Sequence, residues 1–244
     1  MTKPKVKFLK VLNQQLNKYI IITKMNLGTL ISTIITKENI YLFSDGRTVN
    51  LDNGEINNLH TKVHRLSKFC GLLVAGVYMP DLSSQVSTIA SSNNLIYVNQ
   101  IADVVQKVIS KIWEYLEKNN PPDKIAASRA FAFICGYDNF FIPRLYYVDS
   151  QTAPKFTIKE RLLFSEKTDL EIAAMSTGSG EFENPTQMLT DSILKLYNYD
   201  SVIENVFLNS FDSVKEELSK SYPKIGGNTF ASKINKILGY TNIQ

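Results

Sequence analysis

At 244 residues with 44% hydrophobic content, the chain is long enough to bury a sizeable core within one globular unit. Its 20% charged residues and net charge of +4 give no basic field of the kind that nucleic acid or an anionic membrane selects, and no apolar run reaches the length of a membrane span. Two cysteines, Cys70 and Cys135, sit in apolar strand-like runs and read as buried free thiols; with no disulfide framework, a reducing cytoplasm is the expected compartment.

Residues 1–28 begin basic and are continuously apolar only around 19–23. Gly28 lacks an Ala-x-Ala-like context, so the stretch reads as a propeptide or N-terminal extension and not as a secretory signal. From Thr29 the pattern is that of strands. A first strand covers 30–36, and a second covers 40–43 and ends on Ser44-Asp45-Gly46-Arg47. A polar, exposed loop is expected over 50–61. A third strand opens at Lys62-Val63, and a fourth covers 72–75 and stops at Gly76. Alternation puts His60 and His64 on the face of Lys62, where they read as surface or pocket-lining side chains; no partner residues accompany them that would make a metal site.

The period then becomes helical. Residues 81–94 carry Leu82, Val86, Ile89 and Ala90 on one face, and 98–118 carry a wide stripe that includes Ile101, Val105, Val108, Ile112 and Trp113. Such a stripe is core. Asn119-Asn120-Pro121-Pro122 ends it. Two strands, 130–136 and 143–148, flank a turn at Tyr137-Asp138-Asn139, and their aromatics are expected to fill a sheet covered by helices. A short strand is expected over 155–157, and another over 170–175 runs into Thr177-Gly178-Ser179-Gly180. That turn lacks the Lys-Ser/Thr ending of a phosphate loop, so no nucleotide cofactor is expected. Asn184-Pro185 caps a third helix with Met188, Leu189, Ile193, Leu194 and Leu196 turned inward. A fourth covers 200–221, and a closing strand covers 229–238.

One chemistry unites the residues at the strand ends. A threonine hydroxyl is a poor nucleophile until a base takes its proton, and its own α-amino group can be that base. A free α-amine titrates near roughly 7.7–8.0, and a neighbouring ammonium lowers that value. Lys62 supplies such an ammonium, Asp45 holds and orients it, and a backbone N–H at Gly76 is placed to face a developing oxyanion. The condition is that Thr29 become residue one through cleavage after Gly28.

At these residues the chain resembles the proteasome β-subunit family, including the bacterial peptidase that partners an unfolding ATPase. Gly28-Thr29 matches the bond at which that family matures, and Asp45-Gly46-Arg47 matches its signature after the second strand. Asp45 lies 16 residues beyond Thr29, the family spacing; Lys62 lies 33 beyond, one more than usual, with the extra residue placed in the polar loop. Ala75-Gly76 matches the oxyanion glycine, and Ser179 the serine whose hydroxyl supports the threonine. The resemblance implies an α+β N-terminal nucleophile hydrolase fold over 29–244: a four-layer αββα sandwich with two mainly antiparallel sheets between helical layers. It also implies a self-cleaved threonine peptidase without metal or other cofactor, with Thr29, Asp45, Lys62 and Ser179 as catalytic residues and Gly76 and Arg47 facing oxyanion and substrate. The implied partners are unfolded polypeptide, further copies in a closed ring and an unfolding ATPase, with no nucleic acid or membrane.

The match thins in the second half. Most members carry Asp-x-x-Ser-Gly-Gly before the penultimate strand; here Tyr222 and Ile225 stand at the Asp and Ser positions, followed by Gly226-Gly227. Leu30 also replaces the small residue common after the threonine. A second reading is therefore a non-processed structural or scaffold subunit, in which Asp45 and Lys62 form a buried ion pair and Thr29 is an ordinary strand residue.

Overall fold

The computed structural model describes residues 29–49, 54–77, 79, 81–122, 125, 128–161, 170–177, 184–197 and 202–243. Five strands precede or flank the first helices closely enough to set the frame: β1 (Thr29–Thr36), β2 (Asn39–Asp45), the short β3 (Thr48–Val49) and β4 (Ile56–Asn57), and β5 (Val63–Arg65). There follow β6 (Cys70–Gly76), α1 (Leu82–Ser92), α2 (Val98–Asn119), β7 (Ala130–Tyr137), β8 (Pro143–Asp149), β9 (Lys159–Arg161) and β10 (Leu170–Thr177). The chain ends with α3 (Pro185–Leu196), α4 (Ile203–Ser221), β11 (Thr229–Asn235) and β12 (Gly239–Asn242).

The strands make two five-stranded sheets, ordered β10-β1-β2-β11-β12 and β5-β6-β7-β8-β9, and a small β3-β4 ribbon. Every pairing is antiparallel. The sequence explains why both large sheets are covered on two faces. In β1, Ile31 and Ile35 enter one apolar cluster with Leu42, Leu73 and Phe133, whereas Leu30 and Ile34 enter another with Phe43, Phe207 and Phe211. A strand with isoleucine or leucine on both faces, buried at seven of its eight positions, has no face to give to water, so it must be sandwiched. A third cluster packs α1 and α2 through Val86, Val105 and Ile109 against Leu72 and Ile134 of the second sheet. The apolar clusters thus stack helices on sheet, sheet on sheet, and sheet on helices, a mixed α+β sandwich. Among the described residues no helix is long and apolar enough to cross a membrane.

Local chemistry sets the element ends. The Asn184 side chain accepts from the N–H groups of Thr186 and Gln187, with Pro185 at the first helical position, as the Asn-Pro pair predicts. Cys70 and Cys135 are buried free thiols, and burial pushes the Cys135 thiol up to about 12.

Five expectations need correction. The 50–61 stretch is not all loop: Ile56 and Asn57 form β4 and pair with β3, Thr48 facing Asn57 and Val49 facing Ile56. Residues 155–157 are not a strand; the third residue of that stretch bonds back, Thr157 N–H to the Pro154 carbonyl at 3.2 Å, and pairing with β8 starts at Lys159. The closing strand is a hairpin, because the Asn235 side chain accepts from the N–H groups of Ile237 and Leu238 and turns the chain into β12. Leu194 and Leu196 of α3 face outward at 73% and 40% exposure; only Leu189 and Ile193 of the helix's leucine and isoleucine set are buried. Phe140 is likewise exposed, at the turn where the Asp138 carboxylate accepts from the N–H groups of Phe140 and Ile142.

The helix-facing core of the first sheet depends on Phe211, 1% exposed and stacked on Phe43 at 5.5 Å between centroids. Phe211→Ala is expected to lower the unfolding free energy by about 3–5 kcal/mol, read as a reduced midpoint in urea at unchanged slope.

Candidate active site

The site lies where the two sheets meet at the start of β1. Thr29 is 1% exposed and pairs with Thr177 of β10, so its backbone is held by strand pairing at the head of the sheet. Ile31 and Ile35 of the same strand face the second sheet, and alternation places Thr29 on that side. Gly28 and Ser179 lie outside the described residues.

Asp45 ends β2 with no exposure. Its carboxylate accepts from Leu30 N–H at 2.9 Å, from Gly226 N–H at 3.1 Å and from Lys62 Nζ at 2.7 Å. Lys62 Nζ also donates to the Arg47 carbonyl at 2.8 Å. The backbone of Lys62 is itself fixed, its carbonyl accepting from Val74 N–H at 3.1 Å, so the side chain springs from the second sheet and reaches a carboxylate of the first. Burial pushes the Asp45 carboxyl up and the Lys62 ammonium down, and their mutual attraction opposes both displacements.

Arg47 does structural work at its other end. Its guanidinium donates to the Asn58 side chain at 2.9 Å, the Pro223 carbonyl at 2.7 Å and the Ile225 carbonyl at 3.3 Å. This pins the 223–226 turn, whose Gly226 N–H reaches Asp45. Gly226 has φ +142, and a Cβ there would lie 2.9 Å from Arg47 Cζ, so a side chain would push the guanidinium off the turn. Arg47, expected to face substrate, turns its guanidinium onto this turn.

In front of the ion pair is a cavity of about 60 Å³ lined by Thr29, His60, Lys62, His64, Val74, Ala75, Gly76, Met79, Leu82 and Ser83, with Val77 completing the wall. Gly76 ends β6 with φ +92, and a Cβ on it would sit 1.8 Å from the Arg129 carbonyl; only glycine permits the strand to turn out at this rim. The structure thus gathers Thr29, Lys62 and Gly76 around one space and ties Asp45 and Arg47 to Lys62 behind it. Sequence reasoning missed two contributors. One is the Gly226 N–H, signalled by the retained Gly226-Gly227 pair; the other is the start of α1, whose Leu82 and Ser83 close the cavity and carried no sequence signal beyond helical period. Among the described residues, no group of three or more His, Cys, Asp or Glu side chains is placed to hold a metal ion.

No protein-family model matches the chain, and no curated protein matches it.

His64 gives the site a pH signature. Burial, with a smaller contribution from His60, lowers its pKa from 6.5 to about 4. The unfolded chain then binds more protons than the folded one between those values, so stability is lost as pH falls from about 6.5 towards 4. The expected loss is on the order of 2–3 kcal/mol. His64→Gln should flatten this part of a pH series of urea unfolding curves; an unchanged slope would remove His64 as its source.

Proposed function

We propose that the chain is the threonine-type peptidase subunit of a self-compartmentalising protease, with a four-layer N-terminal nucleophile hydrolase fold, self-cleaved between Gly28 and Thr29. The observation that carries this reading is the buried Lys62 ammonium, clamped by the Asp45 carboxylate and the Arg47 carbonyl in a cavity onto which Thr29 and Gly76 also open. Two of the ammonium's three protons are engaged in that clamp, which leaves one direction for the cavity.

Cleavage after Gly28 frees the α-amine of Thr29. The Lys62 charge disfavours a second cation beside it, so the amine is held in its neutral form at working pH. It takes the proton from the Thr29 hydroxyl, and Oγ adds to the scissile carbonyl. The tetrahedral oxyanion turns towards the Gly76 N–H, where losing one donor costs on the order of 100-fold or more in rate. Collapse breaks the peptide C–N bond, the leaving amine takes the proton from the Thr29 ammonium, and an ester on Oγ remains. Water, deprotonated by the same amine, hydrolyses that ester and restores the hydroxyl. Until Gly28 is removed that amine is locked in an amide, so the precursor does not hydrolyse substrate peptides. Ser179 is assigned to support the Thr29 amine, as the family resemblance implies. A closed ring of copies in the cytoplasm, fed with unfolded polypeptide by an ATPase, completes the proposal.

One observation favours the scaffold reading instead. The 222–227 turn offers Asp45 a backbone N–H, with Tyr222 and Ile225 where a carboxylate and a hydroxyl would extend the proton network. The intact mass of the purified protein separates the two readings. The wild type is expected to lose residues 1–28 on assembly and to hydrolyse peptides, while Thr29→Ala keeps its full mass and no activity. Full-length mass for both proteins after assembly would leave the scaffold.

A further inference from the structure

The cavity beside Thr29 has a chemical character that the proposed hydrolysis does not require. The chain contains two histidines, His60 and His64, and both line this one cavity on either side of Lys62. Among the described residues none that lines it is acidic: the remaining walls are Thr29, Gly76, Ser83 and the apolar Val74, Ala75, Val77, Met79 and Leu82. The Asp45 carboxylate is fully buried behind Lys62 and spent on that ammonium and two backbone N–H groups. The space is small. At about 60 Å³ it suits a short side chain.

We propose that this cavity takes an acidic side chain, that of the residue preceding the scissile bond, with His60 and His64 as the residues that determine the specificity. The words "scissile bond" rest on the peptidase reading; the affinity for a carboxylate does not. An entering carboxylate meets two imidazoles in a space partly removed from water, and each can donate an N–H when neutral and become a cation by taking up one proton. The groups facing His64 are His60 and Lys62 from its own segment, Asp45 behind Lys62 from β2, and Thr29 from β1; α1 contributes the uncharged Ser83. On its other side His64 borders a cleft with Arg65 and Tyr240. Burial, with a smaller contribution from His60, lowers the basicity of the His64 imidazole when the cavity is empty. A carboxylate opposes that shift, so binding draws a proton onto His64 and strengthens as pH falls.

Because only these two histidines exist, imidazole NMR of the full chain reads the cavity without interference, and His60→Gln and His64→Gln each assign a signal by removing it. The probes are N-acetylglutamate methylamide and its glutamine counterpart, titrated between pH 3.5 and 8. The glutamate probe is expected to raise the His64 midpoint, about 4 in the empty cavity, by at least one pH unit, and the glutamine probe to leave it in place. In parallel, peptides differing only in Glu or Gln before the cleaved bond should differ by roughly tenfold or more in kcat/KM at pH 6, narrowing towards pH 8. Equal response to both probes, or hydrolysis favouring glutamine, overturns the proposal. A His64 shift without any hydrolysis supports the acid pocket and sinks the peptidase reading; hydrolysis without shift or preference does the reverse.

Discussion

The buried ion pair between Asp45 and Lys62 is the constraint from which the rest of this end of the molecule follows. Two charges removed from water cost several kcal/mol each unless geometry and further hydrogen bonds offset the loss. The carboxylate collects three donors and the ammonium two acceptors, and those partners come from β1, β2, the segment before β5 and the 223–226 turn. Each of these pieces must therefore arrive at one place for any of them to be stable there. The pair also bridges the two sheets, since Asp45 belongs to the first and Lys62 is hydrogen bonded to β6 of the second. Removing one partner would strand the other, a change worth about 3–5 kcal/mol.

The position of this pair relative to the apolar interior matters for chemistry. Between the sheets, Ile31, Leu42, Leu73 and Phe133 exclude water along the length of β1, and the polar set begins where that cluster ends. A hydroxyl at the head of β1 thus stands at the border of a dry core, next to a charge that the low dielectric leaves poorly screened. That border explains the shared tendency of Lys62 and His64 to lose protons more readily than in water.

Much of this was legible in the sequence, for identifiable reasons. Strand β1 and helix α2 announced themselves through β-branched and apolar residues on both strand faces and an apolar stripe from Ile101 to Leu116, patterns that tertiary packing reinforces. Asp45, Lys62 and Gly76 were readable because each sits at a strand end, where spacing along the chain maps directly onto position in a sheet. The ribbon at Thr48–Val49 and the turn at Asn235 were not, because two-residue pairings and side-chain-to-backbone bonds leave almost no periodic trace. Arg47 shows the limit for single residues. Its place in the Asp-Gly-Arg run was plain, but the direction of a long side chain depends on carbonyls 176 and 178 residues away in the sequence.

Those same carbonyls account for the departure at Tyr222 and Ile225. Ile225 is fully buried in the helix-facing cluster with Phe211 and Leu218, so the turn is anchored from below by packing. From above it is anchored by the Arg47 guanidinium on its carbonyls. Between these two anchors the Gly226 N–H is aimed at Asp45 without help from a titratable side chain. A backbone donor fixes the carboxylate's orientation as well as a serine would, but it can neither accept nor relay a proton. In this chain, then, the turn holds Asp45 through a donor that does not titrate, and the pH-dependent properties of the cavity come from the Asp45–Lys62 pair, the two histidines and, once the bond after Gly28 is cut, the amine of Thr29.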